Sequence, residues 1–232
     1  MNANKIARAL VIASVLLLSA CSTTQLAYKQ NITLYFESHE ELRLSDEAIK
    51  DSPVDLIYVR NGERPTATMA LAFIENGQYK WLSSDGAMIV TAHGRLVRTA
   101  GFAENLIYVS QVKQDPLTLG GNITQANNRW LRRIDTEMGD RGALLSSQLR
   151  VISDASLIVQ DYSFAVVKVE EDVTYDSAQH GTSSWTNTFW FDSKTNQLVK
   201  SSQAIAPSMD NLEITYISRV LRLANANESG AQ

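Results

Sequence analysis

The chain has few of the residues that carry recognisable chemistry. Cys21 is its only cysteine, which excludes a disulfide within the chain and a cysteine-rich zinc site. The three histidines, His39, His93 and His180, stand in separate turn-like segments without H-x-x-x-H or H-x-H spacing, so no metal site and no cofactor are expected. There is no G-x-S-x-G nucleophile elbow, and no catalytic residue is assigned. The 21 Lys and Arg residues are not grouped, and 25 acidic residues bring the formal charge to −4. Nucleic-acid binding requires clustered cations to displace phosphate counterions, so that class is excluded. No repeat, low-complexity stretch or internal linker is evident. What remains is the composition of a folded protein, with 44% hydrophobic and 20% charged residues among 232.

The N-terminus carries an address. Lys5 and Arg8 precede the apolar run Ala9 to Leu18 (ALVIASVLLL). Ten residues rise only about 15 Å as a helix, half of a bilayer's hydrocarbon core, so this segment reads as a secretory signal and not as a membrane span. It ends in Leu18-Ser19-Ala20-Cys21, which resembles the bacterial lipobox. In that motif the cysteine thiol takes a diacylglycerol before cleavage. Residues 1–20 are therefore expected to be removed and Cys21 to be lipidated, with 21–25 as a short tether. Two or three acyl chains such as palmitate hold a protein at a membrane, whereas one binds reversibly. Ser22 stands where aspartate would resemble the inner-membrane retention signal. This places the expected location at the outer membrane, periplasmic face, a compartment without ATP.

The segment Leu26 to Glu37 has no clean period, and helix is slightly favoured there. Ser45 followed by Asp46 and Glu47 is a helix start that Pro53 must soon end. From Val54 the pattern changes to strand-like runs separated by Asn61-Gly62, Asn76-Gly77, Asp85-Gly86 and His93-Gly94, the dipeptides of tight hairpins. Ala67, Met69, Leu71 and Phe73 alternate as one apolar strand face. Phe102 to Val112 reads as a short helix, Leu117 to Asn128 as a loop. Further strands are expected at Arg129–Glu137, Gln148–Ser153, Ser163–Asp176, Trp185–Phe191, Leu198–Ile205 and Leu212–Leu223, with 224–232 as a disordered tail. Eleven or more strands in one sheet must curl. The expected fold is mainly β: one domain over 26–223, a large curled antiparallel sheet forming a half-barrel or open barrel, with a few short helices on its concave face.

Among the carboxylates, Glu170-Glu171-Asp172 lie on successive strand positions and read as a solvated stretch that discourages edge pairing. The four tryptophans fall in three expected strands, where rings mostly fill a core. Rings left exposed on a β surface stack on sugar faces. Alternation puts Trp185, Phe189 and Phe191 on one face and Trp190 on the other, which makes Trp190 the exposed candidate.

Three motifs carry a resemblance. Trp81-x-Ser83-x-Asp85 is followed by a strand and then by Gly94-Arg95-Leu96-x-x-Thr99-x-Gly101-Phe102, with Phe189-Trp190-Phe191-Asp192 and Asn196 later. Their order, behind a lipobox, resembles the YjbF family of lipoproteins, which includes the GfcB type encoded with group 4 capsule genes. Asn196 departs from the family's usual glycine at that turn, and asparagine tolerates the same backbone region. The resemblance implies an accessory lipoprotein of capsule or exopolysaccharide production or export. Its implied partners are the membrane, through the acyl chains, and polysaccharide or polysaccharide-export proteins.

Arg95, Trp190 and Trp81 are the candidate contacts to glycan or partner. Arg95 has two readings: a planar fork for acidic or hydroxylated sugars, or a structural clamp on a carboxylate. Two other functions stay open. A lipid or lipoprotein carrier would need an unfilled apolar cavity lined by Met69, Leu71 and Phe73. A glycan-processing enzyme would need two carboxylates about 5 to 10 Å apart in a cleft.

Overall fold

The computed structural model describes residues 43–139 and 141–229; the signal segment, Cys21 and the segment Leu26 to Glu37 lie outside them. Strands β1 (Leu56–Asn61), β2 (Ala67–Glu75), β3 (Gln78–Leu82), β4 (Met88–Ala92) and β5 (Arg95–Ala100) form one meander. A second meander contains β6 (Leu106–Val109), β7 (Arg129–Thr136), β8 (Arg141–Val159), β9 (Tyr162–Ser177), β10 (Gly181–Asp192), β11 (Leu198–Gln203) and β12 (Leu212–Thr215). Antiparallel pairing of β1 with β12 joins them into one twelve-stranded sheet in the order β5-β4-β3-β2-β1-β12-β11-β10-β9-β8-β7-β6. The sheet curls into a nearly closed barrel whose two edges, β5 and β6, are consecutive in the chain. Side chains stitch this seam: the Thr99 hydroxyl accepts the Leu106 N–H at 2.9 Å, and the Asn105 carboxamide accepts the Phe102 N–H at 3.1 Å.

The hairpins form where the dipeptides demand. His93 (φ 50°) and Gly94 (φ 86°) both adopt the left-handed backbone of a two-residue turn. Gly94 is needed twice over, because a Cβ there would lie 2.2 Å from Leu198 Cδ2. The strand β2 departs from simple alternation. Its register shifts between Leu71 and Phe73, so Leu71 pairs with inward Trp81 and Phe73 with Lys80. Phe73 is therefore 44% exposed on the outer face and lines no interior.

Two packed layers result. The interior is filled by Ile57, Met69, Trp81, Ile89, Leu145, Val169, Phe189 and Ile214 among others. A second apolar layer lies outside the barrel, where Phe164, Val166 and Val199 meet Val220, Leu223 and Ala224. The last three belong to helix α2 (Ile217–Ser229). Helix α1 (Asp46–Asp51) is capped by the Ser45 hydroxyl, as its acidic first turn suggests. Three 3-10 turns between β6 and β7 (Val112–Gln114, Pro116–Asn122 and Gln125–Asn127) lie instead over the concave interior, into which they send Leu117 and Ile123.

Four segments differ from the sequence expectation. The stretch 102–112 holds strand β6 in place of the expected helix, with only its last residue entering a 3-10 turn, because four apolar residues are too few to show a period. Leu117 to Asn128, expected as loop, instead holds 3-10 structure: a segment started by Asp115 and Pro116 and kinked at Gly120, then the turn Gln125–Asn127. Strand β8 is nineteen residues long and continues past a positive-φ residue, Asp154. After β12 the chain turns helical, and residues 224–229 belong to that helix and not to a tail. Ile217, Val220, Leu221 and Ala224 recur at helical spacing and are buried.

Candidate functional site

Four charged side chains meet inside the barrel. Arg95, the first residue of β5, donates from Nε to Asp115 Oδ2 at 2.8 Å and from Nη1 to Glu171 Oε2 at 2.5 Å. Arg132 of β7 donates from Nη1 to Ser147 Oγ at 2.6 Å and lies 3.3 Å from Glu171 Oε1. Asn187 of β10 gives Glu171 a further bond at 2.8 Å, and its own carbonyl accepts the Ala204 N–H at 2.8 Å. Each guanidinium also sits over a ring: Arg95 over Trp130 and Phe189 at 4.8 and 4.9 Å, Arg132 over Trp130 at 4.1 Å. All four charged residues are buried, two cations against two anions.

Burial by itself would raise the Glu171 pKa, but the Arg95 and Arg132 charges and the hydrogen bonds from Arg95 and Asn187 outweigh it. The carboxyl is held down to about 2, from an ordinary 4.5. Burial likewise opposes the charged form of Arg95, yet Asp115 and Glu171 hold its proton more firmly than usual. For Arg132, burial and the Arg95 charge prevail and its pKa falls. The linkage sign follows from Glu171: a folded-state pKa below the unfolded value adds stability above about pH 4.5, lost as pH falls towards 2. Thermal melts between pH 6 and pH 2 should show most of the acid destabilisation in that window. In a Glu171→Gln variant the same window should be flatter, and an unchanged pH profile would rule out this carboxylate as its source.

The cluster fixes the three 3-10 turns as a plug. Asp115, which takes the Arg95 fork, also accepts the Leu117 N–H at 3.0 Å, so one carboxylate both starts the second turn and clamps it to the barrel wall. On the other side Asn196, at the β10–β11 hairpin, accepts the Gly121 N–H at 2.7 Å and donates to the Leu119 carbonyl at 3.1 Å. A cavity of about 20 Å³ beside Arg95, Arg132, Asn187 and Gln203 has room for about one water.

Outside the plug, at one mouth of the barrel, lies an open groove of about 350 Å³. Leu117, Thr118 and Gly120 form one wall, the β2–β3, β4–β5 and β10–β11 hairpins supply others, and Tyr216 and Arg219 close it. Tyr79 stacks on Trp81 at 6.3 Å and 15°, and Trp81 meets Tyr216 edge-on at 5.9 Å. The Arg219 guanidinium lies 4.7 Å from the Tyr216 ring and donates to the Leu198 carbonyl at 2.6 Å. Tyr216 is buried with its hydroxyl beside that of Thr91, a contact that works to lower its pKa although it falls outside strict hydrogen-bond geometry. Burial raises its pKa, so it is a neutral phenol with a proton to donate.

The residues singled out from the sequence fall in three places. Arg95 is in the buried cluster, in its clamp role, and a direct surface contact is closed to it. Trp81 is buried under the groove, its indole N–H donating to the Thr91 hydroxyl at 3.1 Å. Trp190 is half-buried on the outer face, with Lys200 Nζ 5.7 Å from its ring. His93 borders the groove, His180 lies in the β9–β10 turn, and His39 is outside the described residues. Among the described residues no group of three His, Cys, Asp or Glu side chains is placed to hold a metal ion.

The sequence reading missed Asp115, Arg132, Asn187 and above all Glu171. Its run of three acids suggested solvent, yet Glu171 is in phase with Val169 and Val173 on the inward face. That parity was the available signal.

Comparison with known proteins supports this frame. The family described as "Group 4 capsule polysaccharide lipoprotein gfcB, YjbF" matches residues 29–217. The chain belongs to the YjbF family. It is 30% identical over 204 residues to the uncharacterized lipoprotein GfcB of Escherichia coli K12, covering 87% of this chain and 94% of that one. The uncharacterized lipoprotein YjbF of the same organism is also 30% identical, with 87% and 93% covered. A crystal structure of the hypothetical lipoprotein YmcC from Escherichia coli K12 superposes with a TM-score of 0.69 at 31% identity, covering 79% of this chain and 91% of that one.

The YjbF-type motifs now have physical roles. Arg95 clamps the plug, Leu96 N–H bonds the Gln203 carboxamide at 3.1 Å, and Thr99 closes the seam. Gly101 lets the chain pass Ala87, whose Cα would lie 2.9 Å from an added Cβ. Asn196 uses its side chain to hold the plug, a contact that a glycine at this turn would lack.

Proposed function

We propose that this protein is a non-catalytic accessory of capsule or exopolysaccharide production or export, anchored through lipidated Cys21 to the periplasmic face of the outer membrane. It acts by binding glycan or a partner of the export machinery. The observation that carries the reading is membership of a capsule-lipoprotein family over residues 29–217, behind Leu18-Ser19-Ala20-Cys21. The geometry favours binding over carriage. The interior is filled by side chains, Phe73 faces outward, and the cavity at the polar cluster is of water size. The inward carboxylates Glu171 and Asp115 are both engaged by Arg95, which suits a clamp and not an acid–base pair.

Removing the gene should lower exopolysaccharide output, and the wild-type chain should restore it. Cys21→Ala should abolish radioactive palmitate incorporation, leave a longer precursor and fail to restore output. Full complementation by an unlabelled Cys21→Ala chain would defeat the requirement for an anchor. Normal output without the gene would defeat the function itself.

A further inference from the structure

We propose that the groove at the barrel mouth binds an acidic sugar residue of a polysaccharide, with the carboxylate against Arg219 and the sugar ring against the tyrosine wall. This deepens the glycan reading above and rests on it.

The first argument is charge. None of the residues lining the groove is Asp or Glu, and Arg219 is its full positive charge. The chain as a whole carries −4, so the groove is a local exception on an acidic protein. Arg219 lies in the first turn of the thirteen-residue helix α2, whose N-terminal end adds partial positive charge. One of its terminal nitrogens is spent on the Leu198 carbonyl, and the ring of Tyr216 steadies the guanidinium plane. The other nitrogens remain to meet a carboxylate.

The second argument is a poorly satisfied donor. Tyr216 is 4% exposed, and its buried hydroxyl lies beside the Thr91 hydroxyl, outside strict hydrogen-bond geometry. A buried phenol without a well-formed bond costs free energy, and such groups recur where a ligand or an ordered water completes the bond. Tyr216 lines the groove, so a sugar hydroxyl, or a water held beneath the sugar, is placed to accept its proton.

The third argument is shape and rigidity. A volume of about 350 Å³ is at the lower end of small-ligand sites, on the order of one or two sugar rings. Tyr79, half-buried and stacked on Trp81, offers a flat ring. The opposite wall is the plug, held from inside by Asp115 and from the hairpin by Asn196, so both walls are set before any ligand arrives.

The test uses the full-length lipidated protein in detergent micelles. The probes are oligosaccharides released from the exopolysaccharide of the producing cells, either intact or with their carboxylates chemically reduced to alcohols. Intact fragments should bind, and reduced fragments should bind at least tenfold more weakly. Arg219→Gln should remove that difference. Gln197→Trp, at an exposed position with space to fill the groove, should abolish binding of both probes while leaving the melting temperature unchanged. Equal affinity for the two probes overturns the acidic-sugar assignment, and wild-type affinity in Gln197→Trp overturns the groove. The two readings fail separately. If cells lacking the gene make normal exopolysaccharide, the function is wrong; if deletion lowers output but Gln197→Trp restores it fully, only the groove is wrong.

Discussion

Glu171→Ala is expected to be the most damaging single substitution in the barrel, with a loss of about 3–5 kcal/mol. It removes the carboxylate shared by Arg95 and Arg132 and leaves two buried guanidiniums with Asp115 as their remaining anion. Asn187 Nδ2 loses its acceptor in the same step. In a domain of this size that corresponds to a fall in melting temperature of about 6–20 °C. The control is the preceding residue. Glu170 points outward to Lys168 and Arg150, and Glu170→Ala should cost about 1 kcal/mol or less. Circular-dichroism melts of both variants at pH 7 make the comparison. Similar melting temperatures for the two would show that the inward charge cluster does not hold the fold.

Arg95→Ala is the second large effect, also about 3–5 kcal/mol, but with a different local signature. It strands Asp115, the residue that starts and clamps the plug, and unstacks the cation from Trp130 and Phe189. The segment 111–127 should then become the first site of limited proteolysis, and Trp130 fluorescence should change. Arg98→Ala, at an exposed position on the same strand, should stay within about 0.5 kcal/mol of wild type. A full loss of exopolysaccharide output with unaltered melting and unaltered proteolysis would instead assign Arg95 to a direct contact, against its burial.

These two residues also show how far the chain could be read without its structure. The hairpin dipeptides, the spacing of the strands and their total number were enough to expect one curled antiparallel sheet. Positive-φ turns and period-two alternation are local properties, written over a few residues. Arg95 was legible as a clamp or a contact, and the family motifs singled it out. Its partners were not. Asp115 is 20 positions away, between the expected helix and the expected loop, and Glu171 is 76 positions away in an acidic run. Helix α2 was legible in principle, since Ile217, Val220, Leu221 and Ala224 keep helical spacing, but the strand before it masked the change of period.

Composition, periodicity and turn chemistry therefore determined the class of fold and the hairpin positions, while the resemblance of short motifs supplied the expected address and the family. The tertiary structure alone decided which charges are buried together, that β5 and β6 meet at a stitched seam, and that a plug and a groove occupy one mouth of the barrel. The reason is physical. Backbone sterics and alternation act between neighbours in sequence, whereas an ion pair inside a barrel is set by curl, register and bulges summed over twelve strands. The Leu71–Phe73 register shift is one instance: a single irregularity, invisible in the alternation of β2, turned Phe73 from the interior to solvent.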